Sequence, residues 1–323
     1  MSLPPFTPAP PTEEKLDYVK LVNLDLSKFD TQIGRQELAK DLYEAATGYG
    51  FLTLSNHGIS DEVYAHQMQI ANAMMTLSAE EKAPYEGIYS YFIGLRYKNV
   101  AIILEVPEEV MQSTHAPGGS KTEYIRYMMC EPRSKEESEK YRDIFLSGHT
   151  DLGTWTFLFS QPIAALQVLD HNDGKYRWVE HQPHGLVVNF GDALARLTGG
   201  LFKATIHRVV QPPEDQRHLR RIGVIYFSRP ADERELVPIE GSPLLQRLGR
   251  DKPIDEQVFC MADFLDARKH GFKRYEYDLD RPRDTQKHAD FFAGEYPDPE
   301  GHQSLGKFDN VPREVYVPSL KAS

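Results

Sequence analysis

Between Tyr124 and Phe227 the chain is built from short apolar runs, each stopped after a few residues by Gly, Pro, Asn or Asp. No other feature limits the fold as strongly. Runs this short cannot cover a core as helices, and a series of them at regular intervals closes into a β-sandwich or barrel. The expected strands are Tyr124 to Cys130, His149 to Phe159, Leu166 to Leu169, Tyr176 to Glu180, Leu186 to Asn189, Lys203 to Val209 and Arg221 to Phe227. Upstream, Tyr18 to Leu24 reads as a first strand and Gln36 to Gly48 as an amphipathic helix ended by glycine. Phe51 to Leu54 reads as a strand stopped by the Asn56-His57-Gly58 turn. Asp61 caps a helix running towards Leu77, and Ser78 to Glu81 opens a further capped turn. Past Pro230, helices are expected near Asp255 to His270 and Asp284 to Phe292, before a Pro- and charge-rich tail.

The bulk chemistry narrows the partners. The formal charge of −11 comes from 37 Lys and Arg against 48 Asp and Glu. Nucleic-acid binding needs clustered cations, and the densest group, Arg217, Arg220 and Arg221, is too small to track a phosphate backbone. The longest unbroken apolar stretch, Val100 with Ala101 to Leu104, is far below a membrane span. The 2 cysteines, Cys130 and Cys260, have no paired spacing, which fits a reducing compartment. Residues 1–15 are Pro-rich without an apolar signal-like core and read as a flexible arm. These features point to a cytoplasmic protein with neither nucleic acid nor membrane as partner; oligomeric state has no signature in the sequence.

His149-Thr150-Asp151 places two ligand types at i and i+2, which on a strand emerge on one face. Either residue alone is more often a turn or surface group. A third ligand must come from another strand, and His207 is the best placed of the 12 histidines, in the strand-like run Lys203 to Val209. Two histidines and one carboxylate on one side of an ion leave its opposite side open, the arrangement of mononuclear non-haem Fe(II) oxygenases. Zinc accepts the same donors, so a zinc hydrolase shares this part of the signature.

The neighbouring motifs, in order, resemble a known family. Gly50-Phe51-Leu52-Thr53-Leu54-Ser55-Asn56-His57-Gly58-Ile59 and Leu77-Ser78-Ala79-Glu80-Glu81-Lys82 are followed by Gly148-His149-Thr150-Asp151 and Ala165-Leu166-Gln167-Val168. Val187-Val188-Asn189-Phe190-Gly191-Asp192 and the stretch from Thr198 to Val209 complete the set. Together they resemble the Fe(II)- and 2-oxoglutarate-dependent dioxygenases of the isopenicillin N synthase-like superfamily, with a texture similar to fungal natural-product tailoring oxygenases. The resemblance covers most of residues 18–235. It implies a double-stranded β-helix (jelly roll) with flanking α-helices, and Fe(II), 2-oxoglutarate and O2 as cofactor and cosubstrates. It also implies one catalytic domain over 1–323: arm 1–15, helix-and-strand region 16–120, jelly-roll core with the iron site 121–235, and C-terminal helices and tail 236–323. The implied reaction hydroxylates, desaturates or rearranges a small organic substrate in secondary metabolism, and releases succinate and CO2. An iron oxidase that does not use 2-oxoglutarate and an inactive binding protein of the same fold are the alternatives.

The resemblance implies further site residues. An Arg-x-Ser pair on the last core strand holds the distal carboxylate of 2-oxoglutarate in the family, and Arg221 is the matching arginine, since arginine grips carboxylate with two parallel hydrogen bonds. Gly223 stands where the hydroxyl residue is expected, which implies weaker cosubstrate binding. Strand phase nominates Arg126, Met128, Phe227 and Arg229 for the substrate pocket, with Trp155 in phase with His149 and Asp151. Met128 and Trp155 also read as ordinary core, and the two arginines equally as surface ion pairs. Asn189 to Asp192 reads as a structural turn, and His57, His171, His181 and His184 as loop residues. The stretch between Gly58 and His149 is several dozen residues shorter than in comparable enzymes, which implies loss of a supporting helix and part of the substrate lid.

Overall fold

The computed structural model describes residues 6–76, 95–115, 123–254 and 258–276. Ten strands form two sheets: β1 (Val22–Asp25), β2 (Phe51–Ser55), β3 (Tyr124–Cys130), β4 (Ile144–His149), β5 (Trp155–Phe159), β6 (Leu166–Leu169), β7 (Tyr176–Trp178), β8 (Leu186–Phe190), β9 (His207–Val210) and β10 (Arg221–Ser228). The larger sheet has the order β1-β2-β8-β5-β10-β3 and the smaller β4-β9-β6-β7. Every pairing is antiparallel except β1 with β2. From β3 to β6 and again from β7 to β10, consecutive strands alternate between sheets, as in a jelly roll that does not close into one continuous barrel.

Helices cover the outer face of the larger sheet. The first, α1 (Gln32–Thr47), begins where the Thr31 side chain accepts from the Gly34 N–H, and buries Leu38, Leu42, Ala45 and Ala46. It is followed by α2 (Asp61–Thr76), α3 (Leu95–Leu104) and α4 (Glu108–Thr114). Val100, Ile103 and Leu104 of α3 are fully buried in the same core cluster as Leu38, Phe157, Phe190 and Tyr226. Each such side chain contributes about 1.5–3 kcal/mol of transfer free energy. Among the described residues the chain between Gly58 and His149 thus supplies supporting helices. The apolar residues at 100–104 belong to α3, which packs on α1.

Other expectations shift. The strand expected over His149 to Phe159 is two strands, with bends at 152–154 between them where the chain crosses from one sheet to the other. The strand expected from Lys203 begins only at His207. Part of the expected flexible arm is pinned: Thr12 donates to Asp215, the Glu13 N–H reaches the same carboxylate, and Gln216 donates to the Pro10 carbonyl. The C-terminal helix starts at Met261, not near Asp255, and runs to Glu276. The turn at Ser78 to Glu81 and the helix near Asp284 to Phe292 lie outside the described residues.

Candidate metal centre

His149 ends β4 and His207 begins β9, and the two are direct cross-strand partners with ring centroids 4.4 Å apart. Asp151 lies two residues past the end of β4, in the crossing turn rather than on the strand. What brings it back is the start of the short helix α6 (Asp192–Leu197). The Asp192 N–H donates to the Asp151 carbonyl at 2.7 Å and the Ala193 N–H to the Gly153 carbonyl at 3.1 Å. These are helix N-terminal donors with no partner inside the helix. Gly191 is required there, because a Cβ would collide with the carbonyl oxygens of Asp151 and Gly153. Arg268 clamps the Asp192 carboxylate at 3.0 Å from the C-terminal helix α8 (Met261–Glu276), the elements between being α5 (Lys135–Lys140) and α7 (Pro243–Arg247).

The donor atoms of His149, Asp151 and His207 all lie within 4.8 Å of one another. The Nδ1 of His149 faces the Ser147 carbonyl at 2.9 Å and that of His207 faces the Thr205 carbonyl at 3.1 Å. A carbonyl only accepts, so each Nδ1 carries the proton and each Nε2 presents a lone pair. The Asp151 Oδ2 accepts from Thr156 at 2.6 Å and Asn189 at 2.7 Å, while Oδ1 stands 3.8 and 3.9 Å from the two Nε2 atoms. Three free lone pairs therefore converge, and the residues fit a divalent metal. Burial, aided by His207, lowers the His149 pKa to about 4, so its imidazole is neutral at pH 7. Burial opposes the charge on Asp151, but His207, His149, Asn189 and Thr156 together keep its pKa below the ordinary value. Asn189, read from sequence as part of a turn, is in fact the last but one residue of β8 and a direct partner of Asp151. The signal was available: an amide inside the buried run Leu186 to Phe190 needs a partner.

Arg221 opens β10 and is 8% exposed. Its Nε donates to the Ile163 carbonyl at 3.3 Å, and among the described residues no carboxylate pairs with it. Burial lowers its pKa; Cys130, opposite it on β3, is itself raised by burial and stays a neutral thiol at pH 7. Gly223 faces Met128 across the strands, so neither strand offers a hydroxyl there. At the other end of β10 the structure gathers Tyr124, Arg126, Phe227 and Arg229. The Tyr124 and Phe227 rings are 5.2 Å apart, and the Arg126 guanidinium lies 5.5 Å from both. The Arg229 guanidinium lies 5.1 Å from the Tyr124 ring. Arg126 acts electrostatically on His149 and Asp151 on Arg229, which puts this cluster beside the metal centre. Trp155 is not part of it. The bends at 152–154 break the phase that tied it to His149, and it packs in the core against Phe157 and Phe190.

Comparison with known proteins agrees with this geometry. Residues 122–230 match the 2OG-Fe(II) oxygenase superfamily and residues 22–98 the N-terminal region described for non-haem dioxygenases in morphine synthesis. A bi-functional coumaroyl CoA and feruloyl CoA ortho-hydroxylase of Ruta graveolens is 24% identical, covering 87% of this chain and 86% of its own. A 2-oxoglutarate-dependent dioxygenase of Gibberella zeae is 33% identical over 38% of this chain and 35% of its own. A full-length Neurospora crassa protein solved with alpha-KG superposes with a TM-score of 0.66 at 20% identity, over 79% of this chain and 99% of its own. No helix of the described residues is long and apolar enough to cross a membrane. The chain belongs to the 2OG-Fe(II) oxygenases and is a 2-oxoglutarate-dependent dioxygenase that uses Fe(II) and O2.

Proposed function

We propose that His149, Asp151 and His207 hold the Fe(II), that Arg221 receives the distal carboxylate of 2-oxoglutarate, and that the oxidised substrate is a small organic molecule carrying an anionic or oxygen-rich group. The observation that carries this reading is the convergence of three free lone pairs in one buried corner. Fe(II) with 2-oxoglutarate and O2 supplies an oxidant able to take hydrogen from an unactivated C–H bond, with release of succinate and CO2. The residues of the chain do the positioning. Asn189 and Thr156 occupy Asp151 Oδ2 and leave Oδ1 for the metal. Ser147 and Thr205 hold the two imidazoles in the required tautomer. Arg221 is a buried cation whose natural counter-ion is a carboxylate, and that need supports a 2-oxoglutarate enzyme over an oxidase without this cosubstrate or a zinc hydrolase.

Arg126 and Arg229, laid against the rings of Tyr124 and Phe227, form a cationic and flat-walled mouth for the substrate, with Met128 further down the same strand. A place in secondary metabolism is part of the same proposal. Anaerobic titration of the protein with Fe(II) and then 2-oxoglutarate tests the reading. A weak visible charge-transfer band is expected, and its absence refutes the chelate. Comparing metabolites of a deletion strain with its parent identifies the substrate as the precursor that accumulates.

A further inference from the structure

We infer that Gln211 is the second anchor for the distal carboxylate of 2-oxoglutarate, taking the place of the hydroxyl that position 223 lacks. Gln211 is 4% exposed, and neither its amide nitrogen nor its amide oxygen has a hydrogen-bond partner among the described residues. Buried polar groups are nearly always paired, so an amide with both ends open marks a missing ligand or a site of use.

Its direction follows from strand phase. The β4–β9 ladder continues one residue past β9, since Ile144 pairs with Val210 and the Gln211 N–H donates to the Asp143 carbonyl at 2.7 Å. Arg208 points outward, onto Gln167 and the Tyr176 ring. His207, on the opposite face, meets the ring of Phe51 inside the molecule. Gln211 is four residues from His207 and so on its inner face, deeper than the metal.

Its distance from Arg221 is bridged by one connection. Arg221 Nε donates to the carbonyl of Ile163, and the N–H of Val210, next to Gln211, donates to the carbonyl of Ala165. The Arg221 side chain and the backbone next to Gln211 therefore touch the same short segment, at the end of the interior away from Tyr124 and Phe227. Gln161, in that segment, also has an unpartnered amide nitrogen, but Gln211 has both ends open and the phase of a metal ligand. The amide N–H groups of Gln211 can donate to a carboxylate that Arg221 neutralises, as a serine hydroxyl would.

This inference rests on the cosubstrate reading above, and one experiment separates the two. The Fe(II)-loaded full chain is titrated anaerobically with 2-oxoglutarate and with 2-oxobutyrate, which keeps the chelating end and has no distal carboxylate. The wild type should bind 2-oxoglutarate more tightly. Gln211→Met should weaken 2-oxoglutarate about tenfold and leave 2-oxobutyrate within about twofold, as expected for one hydrogen bond to a charged group. Gln211→Glu, of the same size, should weaken 2-oxoglutarate further through like charge, and Gly223→Ser added to Gln211→Met should restore part of the loss. Equal losses for both ligands, or none for 2-oxoglutarate, overturn the role of Gln211. If Gln211→Met does not fold, the Gln211→Glu comparison decides alone. A wild type that does not distinguish the two ligands overturns the cosubstrate reading and this inference together.

Discussion

At the metal end of the interior the side-chain polar atoms of the three ligands are spoken for except the three that face one another. Asp151 has two donors on Oδ2 and the two imidazoles each have a carbonyl. At the end proposed to hold the cosubstrate carboxylate the reverse holds. Among the described residues the Arg221 side chain has one backbone carbonyl as partner, the Gln211 side chain has none, and Gly223 contributes no side-chain polar group. The difference lies in what each end must do before its ligand arrives. A metal site has to fix tautomer and orientation in advance, since the metal accepts only deprotonated donors in a narrow geometry. A carboxylate site has only to keep donors dry and unpaired, because the arriving anion satisfies them.

The comparison can be broken at its strongest point first. Asp151→Ala removes the only anionic donor of the triad, and Fe(II) binding and succinate formation should both fall to background in an anaerobic metal titration and a turnover assay. Retained Fe(II) binding at wild-type strength would mean the metal sits elsewhere. Arg221→Leu comes next: its fork of hydrogen bonds to a carboxylate implies a loss of about 100-fold in 2-oxoglutarate affinity, with Fe(II) affinity unchanged. If Fe(II) affinity falls in parallel, the two ends are not independent.

Asn189→Leu probes the supporting layer and should lower Fe(II) affinity by about 10–100-fold, because Oδ2 of Asp151 loses one of its donors. An unchanged affinity would leave Thr156 sufficient by itself. The smallest effect belongs to Gly223→Ser. The added Cβ would find its nearest neighbours, Met128 and Ile225, at 3.7 to 3.9 Å, an ordinary contact distance. The variant should therefore fold as the wild type and bind 2-oxoglutarate more tightly by at most about tenfold. A loss of affinity would show that the space beside Gly223 is needed empty.

Much of this was legible in the chain. The short apolar runs gave the strands because alternation and turn residues act locally, within a few residues of one another. His149, Asp151 and His207 were readable because each motif spans only a few residues and the donor chemistry of a metal is restrictive. Arg221 was readable as a cation at the head of an apolar strand. Trp155, readable from sequence as either pocket or core, lies in the core because the bends at 152–154 break the strand phase, and Asn189 was passed over because its partner lies 38 residues away.

By itself, then, the sequence determined the strand-rich core, the three metal donors and the buried cation, all properties of residue type and short-range spacing. Only the tertiary structure decided how the donors meet. Asp151 is brought to the histidines by the N-terminus of α6, not by a shared strand face, because backbone donors left over at a helix start can hold a turn of another segment. Only the fold, too, buried Gln211 one residue past the strand that begins with His207, with its side-chain amide unpartnered among the described residues. Burial and the absence of a partner are properties of the whole packed molecule, and no window of the sequence contains them.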